Sequence, residues 1–240
     1  HQLKILGISV LSFPTVDIVD LPAVSAYFQT FTPDFFDIAL FISPTSVHSA
    51  VRLCHLSPST WSTTRIVAQG PGTAQALAHY GFKQILSPEK DYSSEGLFTL
   101  PILNSVTNLK IAIFKGLGGR GLLAPHLLQK GALVTEFNCY ERRCPKLNQK
   151  ILVQSIHTPQ NSLFIVTSRT GLQNLALLLG FAHSMTKPSW RDCHLLVIND
   201  KMRLLARDLG HTGKIEVADN ASEEAIIARV KQLYGIGHPL

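Results

Sequence analysis

The sequence predicts an α/β protein built as two similar doubly wound parallel-sheet lobes joined by a two-stranded antiparallel connector. Short apolar segments of four to six residues alternate with helical patterns of about ten, the signature of parallel βα units. The set occurs twice: Ile38–Leu53 (IALFISPTSVHSAVRL) and Leu163–Leu178 (LFIVTSRTGLQNLALL) share a strand-Ser-helix design, with Ser43 and Ser168 aligned at an offset of 125. Two extended, partly alternating stretches, one beginning at Phe13 and one at Glu136, are punctuated by Pro14 and Pro145 and read as the strands between lobes.

Each element follows from the same reading. Ile66–Gly81 parallels Leu195–Gly210, and each continues into a short expected strand, Gln84–Leu86 and Lys214–Val217. A Ser-Glu helix opening comes next, Ser94-Glu95 in one copy and Ser222-Glu223 in the other. Ser222 reads as an N-cap with acids in the first turn. Lys110–Thr135 is a strand, a glycine-rich turn, a helix, a glycine and a strand, whereas Leu3–Val10 matches only the tail of such a unit, Gly7 facing Gly131. The repeat therefore places the counterpart of Lys110–Ala124 before His1, a lobe short of its first strand and most of its first helix. The expected first lobe is 1–14 plus 145–240, the inserted second lobe 21–134, and the connector strands 15–20 and 135–144. A hinge of this kind allows lobe motion, with ligands usually held between lobes.

Composition bounds the function. The chain has 240 residues, 45% hydrophobic and 16% charged, a composition that packs a core. No apolar run approaches the roughly 18 residues of a membrane span. Lys plus Arg exceed Asp plus Glu by 22 − 16 = 6, a surplus that suits an acidic small molecule, while its scatter excludes a nucleic-acid-gripping block. Cys54, Cys139, Cys144 and Cys193 form no C-x-x-C pair and read as reduced packing thiols of a cytoplasmic protein. The ten histidines show no metal-ligand spacing, so neither a metal nor a cofactor is expected. Ser43 and Ser168 lack a nucleophile elbow.

Several segments, in order, resemble the motifs of one known family. Phe41-Ile42-Ser43 with Val47 is similar to its T-S-x-N-x-V segment, with Ile42 and Thr45 in place of the usual Thr and Asn. Gly70-Pro71-Gly72-Thr73-Ala74 resembles the V-G-x-x-T-A turn, and Ser94-Glu95-Gly96-Leu97 the S-E-G-L helix start. Gly116-Leu117-Gly118-Gly119-Arg120 with Leu123, Leu127 and Gly131 resembles G-x-G-G-R-x-x-L-x-x-x-L-x-x-x-G, and Tyr140 with Arg142 the V-Y-x-R strand. The family so resembled is that of uroporphyrinogen-III synthase, and the resemblance implies a cyclising lyase, expected to act as a monomer on hydroxymethylbilane. It would close this acidic linear tetrapyrrole of heme biosynthesis with inversion of ring D and loss of water, through an azafulvene and a spiro intermediate. Tyr140 is then the candidate acid for the leaving hydroxyl. Ser43, Gly70, Gly72, Thr73, Gly116, Gly118, Ser168 and Arg169, all at expected strand-to-helix turns, are candidate holders of the substrate's eight carboxylates, with Lys115 and Arg120 adding charge.

Two other readings stay open on sequence. Gly116-Leu-Gly118-Gly119-Arg-Gly121 also satisfies G-x-G-x-x-G between a strand and a helix, and Glu136 falls where a ribose-binding acid would sit. A nicotinamide-dependent oxidoreductase fits that turn, although the motif lies in the last βα unit of its lobe and Arg120 crowds it. A two-lobe small-ligand-binding protein fits the hinge.

Overall fold

The computed structural model describes residues 2–32, 35–119, 121–146, 162–180 and 190–236. It divides into two compact units, one of His1–Asp17 with Cys144–Leu240 and one of Ile18–Arg143. Their elements, in chain order, are α1 (Gln2–Ile5), β1 (Asp17–Asp20), α2 (Ala23–Phe28), β2 (Ile38–Phe41), α3 (Pro44–Cys54), β3 (Arg65–Ala68), α4 (Pro71–His79), α5 (Ser94–Leu97), β4 (Lys110–Gly116), α6 (Leu123–Gln129), β5 (Leu133–Arg143), β6 (Leu163–Val166), α7 (Arg169–Gly180), β7 (His194–Val197), α8 (Asp200–Asp208), β8 (Ile215–Val217) and α9 (Glu223–Tyr234).

In the Ile18–Arg143 unit the sheet order is β1-β5-β4-β2-β3. β2 pairs in parallel with both β3 and β4, and β4 with β5. All four residues of β2, Ile-Ala-Leu-Phe, are buried, as expected of a parallel strand covered on both faces. Alternate residues enter different layers. Ala39, Phe41, Ala112, Phe114 and Phe137 pack with Val47, Ala50 and Leu77, whereas Ile38, Leu40, Ile111 and Ile113 pack with Leu103 and Leu127. Across the first layer, Phe41 stacks on Phe114 at 4.8 Å and Phe114 on Phe137 at 4.9 Å between ring centroids. From β2 the chain moves to β3 on one side, then returns to β4 on the other. That reversal makes the carboxyl ends of β2 and β4 a topological switch point, where open α/β sheets bind ligands.

Within the other unit, β6, β7 and β8 are parallel in that order. Leu172, Leu175, Trp190, Leu195, Val197 and Met202 form its core. Asn199 caps α8, accepting from Met202 N at 2.9 Å. Ser222 caps α9, accepting from Ala225 N at 3.2 Å with Glu223 and Glu224 in the first turn. Both are caps of the kind that satisfy orphan amides. Glu216 of β8 is 7% exposed and is paired with Lys214 at 2.8 Å and with Arg229.

Three sequence expectations read differently in the structure. Gln84–Leu86 is not a strand: Gln84 adopts φ 52°, which breaks an extended run, and Leu86 makes a single bridge to Val67. The described strands of the smaller sheet wind in one direction, so no reversal is seen there. Ile8 does not extend into a strand but packs with Leu3 against Leu196, Ala218 and Val230. The segments expected as a connector do lie side by side: Asp17–Asp20 is β1 and 135–143 belongs to β5, its neighbour in the sheet, and β5 also pairs with β4 as far as Tyr140. Glycine 7 keeps the left-handed turn of Gly131, with φ of 75° and 81°.

Candidate functional site at the switch point

A cleft of about 190 Å³ opens at the carboxyl ends of β2 and β4. Ile42 and Ser43 line it from β2, Ser94 from the start of α5, and Lys115 to Gly119 with Gly121 from the end of β4 and its turn. Leu122 and Leu123 close one side, and Glu136, Tyr140 and Arg142 come from β5.

Ser43 is fixed by its place in the fold. It is extended, followed by Pro44 at the first helical position, and its Oγ accepts from Ser46 N at 3.1 Å while Ser46 Oγ accepts from Ser43 N at 3.1 Å. This reciprocal cap satisfies two backbone donors and leaves the Ser43 hydroxyl at the cleft.

Tyr140 owes its position to a β-bulge. The β4–β5 register slips between Lys115 and Gly116, so that Tyr140 rather than Cys139 lies opposite Gly116. The ring then passes directly over the glycine: a Cβ there would lie 2.6 Å from Tyr140 Cζ and 2.9 Å from its hydroxyl. Only glycine leaves that space. Tyr140 is 2% exposed, and its hydroxyl is 3.1 Å from Ser43 Oγ and accepts from Arg142 Nη2 at 3.1 Å. With that guanidinium donating to the phenol oxygen, the phenol hydrogen is left to point at Ser43 Oγ or at a bound group.

Lys115 and Glu136 complete the polar wall, ion-paired at 2.8 Å with their side chains 16% and 36% exposed. Beyond Gly116 the turn holds Gly118 at φ 87° and Gly119 at φ 95°, conformations that an L side chain resists. A Cβ at either would meet nothing within 4 Å, so backbone angle and not space selects glycine there.

Of the residues singled out by sequence, the cleft gathers Ser43, Lys115, Gly116, Gly118 and Tyr140. Gly70, Gly72 and Thr73 do not line it. Gly70 caps α4 against Tyr92, Gly72 abuts Pro44, and Thr73 is buried. Ser168 caps α7 in the other unit, accepting from Gly171 N at 3.0 Å, beside exposed Arg169. Arg120 lies outside the described residues. Arg142 and Ser94 were not singled out as site residues, and Glu136 only under the dinucleotide reading. The Tyr-x-Arg spacing and the S-E-G-L segment were the available signals for two of them.

Comparison with known proteins places this geometry. The family model described as uroporphyrinogen-III synthase HemD matches residues 1–228. The chain belongs to the uroporphyrinogen-III synthase family. It is 31% identical over 235 residues to the uroporphyrinogen-III synthase of Salmonella typhimurium, covering 94% of this chain and 92% of that one. To the Escherichia coli enzyme it is 30% identical over 198 residues, covering 80% and 77%. Its fold is similar to the crystal structure of uroporphyrinogen-III synthetase from Helicobacter pylori, with a TM-score of 0.62 at 16% identity, covering 95% of this chain and 96% of that one. Within this synthase family member, no described helix is long and apolar enough to cross a membrane. No metal-holding group of three or more His, Cys, Asp or Glu occurs among the described residues. Burial pushes the thiols of Cys54 and Cys139 up to about 12 and that of Cys193 to about 11, which makes them packing groups rather than nucleophiles.

Proposed function

We propose that the switch-point cleft receives the hydroxymethyl-bearing end of hydroxymethylbilane and that Tyr140 gives the proton with which its hydroxyl leaves as water. As a member of its family the chain is a cyclising lyase of tetrapyrrole biosynthesis. The observation that carries the site assignment is the Tyr140 hydroxyl, held at 3.1 Å from both Ser43 Oγ and Arg142 Nη2 on the cleft wall. Pockets that enclose a whole drug-sized ligand span roughly 300–1,000 Å³. A cleft of about 190 Å³ therefore holds one end of a tetrapyrrole rather than all of it.

Ring closure needs little from the protein beyond shape and a placed acid. Loss of hydroxide from a hydroxymethylpyrrole is driven by the ring nitrogen. Protonating the departing oxygen removes the main barrier. Ser43, itself held by the helix cap, orients the phenol, and Arg142 stabilises the oxygen once its proton has gone. Arg142 and Lys115 face an acidic substrate with charge. Gly116 and Gly118 bring backbone close to it. In this reading Gly70, Gly72 and Thr73 serve the start of α4, with Gly70 as its N-cap. In this reading the enzyme acts as a monomer in the cytoplasm, a reducing compartment in which a free exposed thiol such as that of Cys144 persists.

The dinucleotide reading of the glycine turn is disfavoured by a specific contact. The space that Gly116 leaves is filled by the Tyr140 ring, so its smallness serves a side chain and not a pyrophosphate. The test is a coupled assay in which hydroxymethylbilane is generated enzymatically and type III is separated from type I uroporphyrin after oxidation. Excess type III is expected, lowered roughly 10²–10⁴-fold by Tyr140→Phe. Type I alone, the product of spontaneous closure, would overturn the reading.

A further inference from the structure

The cleft contains a carboxylate that an acidic substrate gives no reason to expect. Glu136 lines it together with Lys115, Tyr140 and Arg142, and hydroxymethylbilane carries eight carboxylates and no cation. A glutamate here repels the ligand unless it meets something on the substrate that only an acceptor can satisfy. Its charge is balanced by Lys115 at 2.8 Å through Oε1. Among the described residues the other oxygen, Oε2, has no hydrogen bond assigned to it. The groups on a tetrapyrrole that match a carboxylate acceptor are its pyrrole N–H donors.

We infer that Glu136 accepts the N–H of the pyrrole ring that loses water and takes its proton as the hydroxyl departs, a catalytic role that rests on the function proposed above. The step balances. The carbon–oxygen bond breaks, and the oxygen leaves as water with the Tyr140 proton. The N–H bond pair moves into the ring as the exocyclic carbon–carbon double bond forms, and the nitrogen's proton goes to Glu136 Oε2. The product is a neutral azafulvene beside a phenolate and a protonated carboxyl. When the attacking ring forms its bond to the exocyclic carbon, the nitrogen recovers its proton from Glu136. The proton that the attacking ring finally releases restores Tyr140. Only water is lost overall, and no further reactant is needed. The ion pair explains how such a carboxylate is tolerated, because Lys115 cancels its charge toward the substrate through Oε1.

The experiment measures kcat and KM for type III formation by the full chain and its Glu136→Gln, Lys115→Met and double variants, with urea midpoints as a control for folding. Glu136→Gln is expected to lose kcat by roughly 10²-fold or more with KM unchanged or lower, since Lys115 is then an uncompensated cation facing an acidic substrate. Lys115→Met is expected to raise KM while keeping most of kcat. If Glu136 merely holds Lys115, both single variants will raise KM alike and the double variant will be no worse than either. That result, or a Glu136→Gln variant with kcat within about threefold of the parent, overturns the inference. Should Glu136→Gln fail to fold, Glu136→Asp, which keeps the charge on a shorter arm, is expected to show the same loss of kcat at unchanged KM, and unchanged kcat there would count equally against it. Absence of type III from the unaltered chain is the separate result that removes the function reading, and this inference with it.

Discussion

Replacing Gly116 by alanine tests the link between the β-bulge and the chemistry. The new Cβ would lie 2.6 Å from Tyr140 Cζ, 2.8 Å from Cε2 and 2.9 Å from the hydroxyl, where ordinary contact begins at 3.4 Å. To regain ordinary contact the ring must retreat by 3.4 − 2.6 = 0.8 Å. A retreat of that size directed away from Ser43 would stretch their 3.1 Å contact beyond hydrogen-bonding distance. Tyr140 is packed with Phe114, Phe137 and Cys139, so the shift is resisted, and overpacking of this kind costs about 1–3 kcal/mol. For activity, misplacing a reacting group by roughly 1 Å costs about 10²-fold. The assay is kcat for type III formation alongside urea unfolding, run in the parent and in the Tyr140→Phe background. Phenylalanine keeps Cζ, so the stability loss should persist in both backgrounds. The activity loss should vanish in the second, because the hydroxyl it acts through is gone. A Gly116→Ala variant with full stability and full kcat would refute the close approach. An undiminished activity loss on top of Tyr140→Phe would refute the claim that it works through the phenol.

Gly96→Ala should be more severe for folding, since its Cβ would sit 1.8 Å from the Asp91 carbonyl oxygen, a backbone atom that cannot swing aside. A loss of more than about 3 kcal/mol by urea unfolding is expected, and a mild effect would count against the turn geometry. Ser43→Ala should cost about 1 kcal/mol through the lost cap and also lower kcat, whereas Ser43→Thr should restore the cap and most of the stability. Acid should weaken the unit holding His211 and Glu216 in two stages. Burial, then nearby Arg207, lowers His211 from its ordinary 6.5, so the unfolded chain binds a proton that the folded one refuses, and stability falls as pH drops below about 6.5. Hydrogen bonding from Lys214, with Arg229, lowers Glu216 from 4.5, so its contribution is present above that value and is lost as pH falls further. His211→Asn should flatten the first stage of the urea-midpoint profile, Glu216→Gln the second; one smooth decline unchanged by either would sink the assignment.

What the sequence disclosed and what it hid follow from how each feature is encoded. The parallel strands were legible because IALF and KIAIF are apolar on both faces, and nothing else stabilises such runs at that length. Helix starts were legible because Ser43, Ser168 and Ser222 each carry a local signal and each caps in the structure. The end of Gln84–Leu86 was hidden, since a left-handed Gln84 has no special composition. The site divides in the same way. Residues at strand-to-helix turns could be nominated one at a time, but turns after β2 and β4 share a cleft while the turn after β3 stands aside. That sorting comes from strand order, which is a property of the sheet and not of any segment.

The catalytic candidate shows the point most sharply. By simple alternation Tyr140 would share a face with Asn138 and Glu136, yet the slip between Lys115 and Gly116 sets it opposite Gly116 and places its ring in the Phe114–Phe137 layer. A bulge inserts one residue without marking itself in the pattern of apolar positions. Gly116 was read as part of a phosphate-type turn for the same reason, because a glycine required by a neighbouring ring and one required by a ligand look identical in sequence. The structure distinguishes them through what fills the missing Cβ, and here it is the phenol. The glycine that sequence offered as a dinucleotide signal is therefore part of how the phenol is seated, which is why its substitution and that of Tyr140 should fail to add in activity.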